Sequence, residues 1–193
     1  MAYSENELLN KDMDWFVKIS PYYIHAASAG GMVPTVIYEN DKKNKLLTQT
    51  IKRLPFLFKE EEIGINPFLR QILHLEEQQK ELSFILDSCN ISYENNPIDT
   101  YIKRIYCYSF IKFARKGFFS FDKTNINNFE DAKYHLVAWP CKTTDLELSM
   151  PTCSPLKELD IIKIYRETNK EIEPLKREKY TIELVNLVNN LSF

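Results

Sequence analysis

At 193 residues, with 44% hydrophobic and 13% aromatic side chains and only four glycines, the chain holds enough material for one packed core, which excludes a generally disordered or disulfide-stapled protein. Its 25 basic and 27 acidic side chains nearly cancel, which argues against a partner held by net charge alone, such as a phosphate backbone or an anionic membrane. No run of about 18 apolar residues could span a bilayer. The acidic start Met1-Ala2-Tyr3-Ser4-Glu5-Asn6-Glu7 does not read as a signal peptide, so a cytoplasmic location or a place in an intracellular virus-like particle is expected.

Proline punctuates the chain. Five of the nine prolines (21, 67, 97, 155 and 174) each open a stretch that reads as helix, and Ser20, Asn66, Asn96 and Ser154 stand before four of them as N-caps. Trp15 to Ile19 is a short candidate strand. Pro21 to Ala29 then reads as a helix ended by Gly30, Thr35 to Glu39 as a strand, and Asn40 to Asn44 as a polar turn. Leu47, Ile51 and Leu54 recur at helical spacing until Pro55 stops them.

The stripe of Phe68, Ile72, Leu75, Leu82 and Leu86 predicts one long helix from Pro67 to about Asp87, roughly 30 Å in length. A polar loop from Cys89 to Asn96 leads to a second helix, Pro97 to Lys116, with Gly117 at its end. After Gly117 the period changes toward strand. Phe118 to Phe121 and Lys133 to Trp139 flank a turn-rich segment and predict an antiparallel pair. A helix from Pro155 to about Thr168 and a terminal one carrying Leu184, Val185, Val188 and Leu191 complete the chain.

The fold class expected is therefore α+β, a predominantly helical single domain over 1–193 with a small antiparallel sheet or hairpin packed on long helices. Its sections are a helix-and-strand mix over 1–66, the long helices over 67–116, the hairpin over 117–140 and a helical section over 154–193.

Three groups of residues could carry chemistry. Ala26-Ala27-Ser28-Ala29-Gly30 resembles the nucleophile elbow of serine hydrolases, with Ser28 as nucleophile and His135 and Asp160 as available partners. An elbow needs its serine at a strand-to-helix turn, however, and Pro21 places Ser28 at the end of a helix. The basic and aromatic region from 103 to 123 offers Lys103, Arg104, Lys112, Arg115, Lys116 and Lys123 to nucleic acid. Its Lys116-Gly117-Phe118 opening resembles the ribonucleoprotein motif, but Phe119 and Ser120 stand where a small residue and an aromatic belong. The third group is Tyr101, Tyr108, Phe110 and Ile111, which lie off the stripe assigned to the core and are expected to meet a partner.

Cys89, Cys107, Cys141 and Cys153 lack Cys-x-x-Cys spacing and are expected as reduced thiols. His25, His74 and His135 lack metal-ligand spacing, and Gly30-Gly31 lacks the lysine of a phosphate loop, so neither metal nor cofactor is expected. The function expected is a non-catalytic intracellular protein-interaction or assembly component, through a protein partner or self-association. A serine hydrolase using Ser28 and a nucleic-acid-binding protein are the alternatives.

Overall fold

The computed structural model describes residues 10–19, 22–93, 96–141, 152–153, 181–182 and 189. Its frame is one mixed sheet. The strands are β1 (Asp14–Ile19), β2 (Tyr22–Ala27), β3 (Ile63–Ile65), β4 (Phe118–Lys123) and β5 (Tyr134–Pro140), with two-residue pairings β6 (Thr152–Cys153) and β7 (Thr181–Ile182). The order across the sheet is β3-β5-β4-β2-β1-β6, and β7 also pairs with β5. β1 and β2 form an antiparallel hairpin, β4 and β5 a second, and β2 runs parallel to β4 where the two hairpins meet.

The predominantly helical α+β expectation is thus corrected to a mixed α/β arrangement of a sheet and short helices. The helices are α1 (Thr35–Tyr38), α2 (Asp41–Arg53), α3 (Leu69–Ile72), α4 (Gln79–Ser88), α5 (Pro97–Tyr101) and α6 (Tyr108–Ala114) among the described residues. None of them is long and apolar enough to cross a membrane.

The expected helix from Pro21 to Ala29 is strand β2 instead. Every residue of β2 is buried, so the strand lacks the apolar–polar alternation by which a half-buried strand declares itself. Gly30 does sit at φ 71, but it turns the chain after a strand, alongside Ala29 at φ 44. The expected strand at Thr35 to Glu39 is α1, which closes on Pro34 through Tyr38 N–H to Pro34 O at 2.9 Å. Asn40 to Asn44, read as a turn, enters α2.

The long helix from Pro67 to Asp87 is broken into α3, a 3-10 turn (Leu75–Gln78) and α4, because His74 takes the left-handed conformation at φ 52. The Pro97 to Lys116 segment comes closest to its expected form. Asn96 caps it by accepting from Ile98 N and Asp99 N, and Gly117 ends it at φ 98. Between α5 and α6 the chain widens into a π-helical stretch (Ile102–Tyr106), with Cys107 N–H bonded to Ile102 O at 2.8 Å. The Phe118–Trp139 hairpin stands as expected, as β4 and β5. The Ser20-Pro21 cap and the helices expected at Pro155 and at Leu184 to Leu191 lie outside the described residues.

Strand alternation divides the core. On one face Trp15, Val17, Ile24, Phe119, Phe121, Tyr134 and Leu136 pack with Val33 and Ile37, and Tyr134 meets Trp15 edge to face at 5.8 Å. On the other face Phe16, Tyr23 and Phe118 pack against Ile51 of α2 and Phe113 of α6, while Ala27 and Val137 meet Leu69, Ile98, Ile102 and Phe110. This second face also carries polar side chains at alternating strand positions, and they form the candidate sites.

Candidate functional site

Three groups on the second face sit at positions that alternation turns inward: Asp14 on β1, His25 on β2 and Ser120 on β4. His25 Nε2 lies 3.1 Å from Asp14 Oδ1, and Ser120 Oγ lies 3.2 Å from His25 Nδ1. Burial works to raise the Asp14 carboxyl, but the hydrogen bond and charge of His25 and the ammonium of Lys52 at 2.9 Å outweigh it and hold it at about 2. Burial lowers His25 below the ordinary imidazole value despite Asp14. The residue types are those of a nucleophile, base and orienting carboxylate. Their place is not, for Ser120 is 0% exposed, its hydroxyl also reaches Phe110 O at 3.2 Å, and Phe113 stacks on the imidazole at 4.0 Å. No substrate reaches that hydroxyl, and the chain acts as a polar clamp tying β1, β2, β4 and α6 together.

A second chain lies further along β4. Thr124 Oγ1 is 3.3 Å from His135 Nδ1, Tyr106 OH is 2.9 Å from His135 Nε2, and Tyr106 OH donates to Asp122 Oδ2 at 2.7 Å. With a neutral imidazole protonated on Nε2, every proton points one way: threonine to histidine, histidine to tyrosine, tyrosine to carboxylate. Burial supports that state by pushing His135 down to about 3 and the Tyr106 hydroxyl well above its usual range. Burial also raises Asp122 to about 7, although the hydrogen bonds from Tyr106 and Lys123 N–H oppose it. Unlike the first chain, this one opens to solvent: Tyr106, Asp122 and Thr124 line a cavity of about 740 Å³ together with Tyr101, His74 and the 125–127 loop.

The opposite flank of the same helical run borders a groove of about 750 Å³. Ile63, Ile65, Ile91 and Ile111 supply its apolar lining, and Lys103, Arg104, Lys112, Arg115 and Tyr108 its basic and aromatic side, with Glu60 and Glu61 also present. Tyr108 is 58% exposed, with the Lys112 ammonium 3.9 Å from its ring centroid. Arg115 stacks on Phe56 at 4.0 Å and donates to Phe58 O, which fixes one end of the basic side.

The candidate residues of the sequence are divided by the fold. Ser28 is buried just past β2, where its hydroxyl accepts from Met13 N–H at 2.9 Å and donates to Lys11 O. His135 bonds Tyr106 and Thr124, and Asp160 lies outside the described residues. Of the basic set, Lys103, Arg104, Lys112 and Arg115 converge on the groove, whereas Lys116 and Lys123 are buried and donate to backbone carbonyls of Ile51, Lys52 and Phe129. Of the partner set, Tyr108 is exposed at the groove, Tyr101 faces the cavity, and Phe110 and Ile111 are core residues, Ile111 touching the groove floor.

Asp14, Tyr106, Ser120, Asp122 and Thr124 were not among the sequence candidates. Three of them carry a signal: Ser120, Asp122 and Thr124 recur at period two, out of phase with Phe119 and Phe121, which marks one strand face as polar. Among the described residues no group of three His, Cys, Asp or Glu side chains could hold a metal ion. Comparison of the chain with protein-family models, curated proteins and solved structures finds no match in any of the three.

Proposed function

We propose that the chain is a non-catalytic intracellular protein-interaction component whose groove along β3 holds an acidic segment of a partner protein, anchored by apolar side chains. The observation that carries this reading is the convergence of Lys103, Arg104, Lys112 and Arg115 around an isoleucine-lined groove that leaves Tyr108 exposed. β3 stands at the end of the sheet order, so an extended segment laid beside it meets backbone as well as side chains. Glu60 and Glu61 line the same groove, which opposes a continuously charged phosphate backbone more than a segment whose few acidic side chains can sit at the basic side.

The test is selection from a random peptide library, followed by fluorescence anisotropy on the selected peptides. Selected peptides should carry Asp or Glu beside Leu, Ile or Phe. Arg104→Glu with Lys112→Glu should weaken binding about tenfold or more, given that each exposed charge contact is worth about 0.2–1 kcal/mol and reversal adds repulsion. Basic peptides that bind equally well, or single-stranded RNA that displaces the selected ones, would overturn the reading.

A further inference from the structure

We propose that the cavity between the Leu69–Gln78 turn, the helical run and the loop after β4 binds a small organic ammonium ion, with Asp122 as its counter-ion and Tyr101 and Tyr106 as aromatic walls. The site is separate from the groove and rests on different residues.

The charge of the cavity points to a cation. Asp122 is the one carboxylate among the residues lining it, and among the described residues no ammonium or guanidinium pairs with it. Lys123 contributes to the lining, but strand alternation puts its side chain on the face opposite Asp122, where the ammonium donates to Phe129 O at 2.9 Å and lies against Gly31. Asp122 Oδ1 accepts from Lys123 N–H at 2.9 Å and Oδ2 accepts from Tyr106. Each oxygen keeps a second lone pair, which an incoming N⁺–H can use.

The rest of the lining decides what kind of cation. Tyr101 and Tyr106 bring two aromatic side chains to the wall, of the kind that favours a cation, and Ile72, Leu73, Leu75 and Ile126 supply aliphatic surface for an organic arm. A metal ion is a poor match, because an isolated carboxylate beside neutral side chains lacks the oxygen ligands that a hard cation takes. The volume of about 740 Å³ falls within the range of small-molecule sites.

The directed chain Thr124, His135, Tyr106 delivers its last proton to Asp122 and so leaves the carboxylate as acceptor toward the cavity. The titratable groups facing Asp122 are Tyr101, Tyr106 and Cys107 on the helical run, His135 on β5 and Asp12 before β1. Burial holds His135 neutral and Cys107 protonated, up at about 12, and none of these groups supplies a positive charge near neutral pH.

The experiment is isothermal titration of the full chain at about pH 8, above the value of about 7 to which burial raises Asp122, with phenethylammonium chloride and with 2-phenylethanol, its uncharged counterpart, with amide shifts followed by NMR. The ammonium should bind about tenfold more tightly than the alcohol, and the shifts should centre on Asp122 to Asn127. Asp122→Asn should abolish that preference while circular dichroism stays unchanged. Asn127→Lys, on an exposed loop, should weaken ammonium binding by repulsion if Asp122→Asn fails to fold. Equal affinity for the two compounds, shifts centred elsewhere, or undiminished binding by both variants would overturn the proposal. Selected acidic peptides should still bind the groove of Asp122→Asn, so the two sites fail independently.

Discussion

At the scale of single residues, the basic side chains show how little charge says about role before burial is known. Lys103 and Lys112 stand on the groove, yet Lys116, in the same helical segment, is only 6% exposed and donates to Ile51 O at 2.9 Å and Lys52 O at 2.7 Å. Those carbonyls belong to the last turn of α2, where acceptors run short of amide donors, Leu54 N–H reaching Ile51 O at 3.1 Å, and where the dipole favours a cation. Lys116 is therefore the C-terminal cap of a helix more than sixty residues earlier in the chain. Lys116→Met keeps the aliphatic stem but takes the ammonium from Lys52 O and leaves Ile51 O with Leu54 N–H alone, so it should lower stability by about 1–3 kcal/mol, seen as a lower urea midpoint at unchanged slope. Lys103→Met, at an exposed position, should stay within about 0.5 kcal/mol of the parent protein. Equal losses in the two variants would refute the capping role.

At the scale of elements, the break at His74 decides what the 67–88 segment does. A single straight helix would carry its apolar stripe along one line. The left-handed residue instead re-aims the chain so that Leu69, Leu75 and Leu82 all bury against Ile98 and Ile102. Left-handed backbone costs an L-residue about 1–2 kcal/mol, and a β-branched side chain tolerates it least. His74→Val should therefore destabilise by about that amount, whereas His74→Gly, freed of that strain but more flexible when unfolded, should be near neutral. Thermal unfolding of both checks this, and a destabilised glycine variant would show that the imidazole itself holds the turn.

The sequence carried the elements that obey one local rule: the Asn96-Pro97 cap, the Gly117 stop, the helix through Leu47 and Ile51, and the Phe118–Trp139 hairpin. It misled where a local cue and burial conflicted. Pro21 and Gly30 frame β2 like a helix, and a strand buried on both faces has no alternation to object. The groove was half legible, as four of six basic candidates reach it. The cavity was not, because Tyr106 enters it from the π-helical stretch, and a widened turn leaves no mark in hydrophobic spacing.

At the scale of the whole molecule, the two buried histidines and Asp122 set how the protein responds to acid. His135 titrates at about 3 when folded against about 6.5 when unfolded, and burial shifts His25 in the same direction. The unfolded chain thus binds more protons than the folded one as pH falls below about 6.5. Stability is lost on acidification at up to about 1.4 kcal/mol per pH unit for His135, with His25 adding in the same direction. Asp122 works the other way. Its folded value of about 7 lies above the unfolded 3.8, so its contribution is present at low pH and is lost as pH rises toward 7. Between about pH 4 and 6.5 the carboxyl therefore offsets roughly what His135 contributes, while His25 adds to the loss in the direction that its burial sets. Asp14, held at about 2, enters only below about 4, where its protonation adds to the acid loss. Asp122→Asn keeps a side chain of the same shape but removes the compensating proton. Its urea-derived stability should fall more steeply than the parent's from pH 6.5 to 4.5, by about one further proton, or about 1.4 kcal/mol per unit. Parallel slopes for the two proteins would mean that Asp122 is already ionised across this range and that burial leaves the carboxyl at the cavity unperturbed.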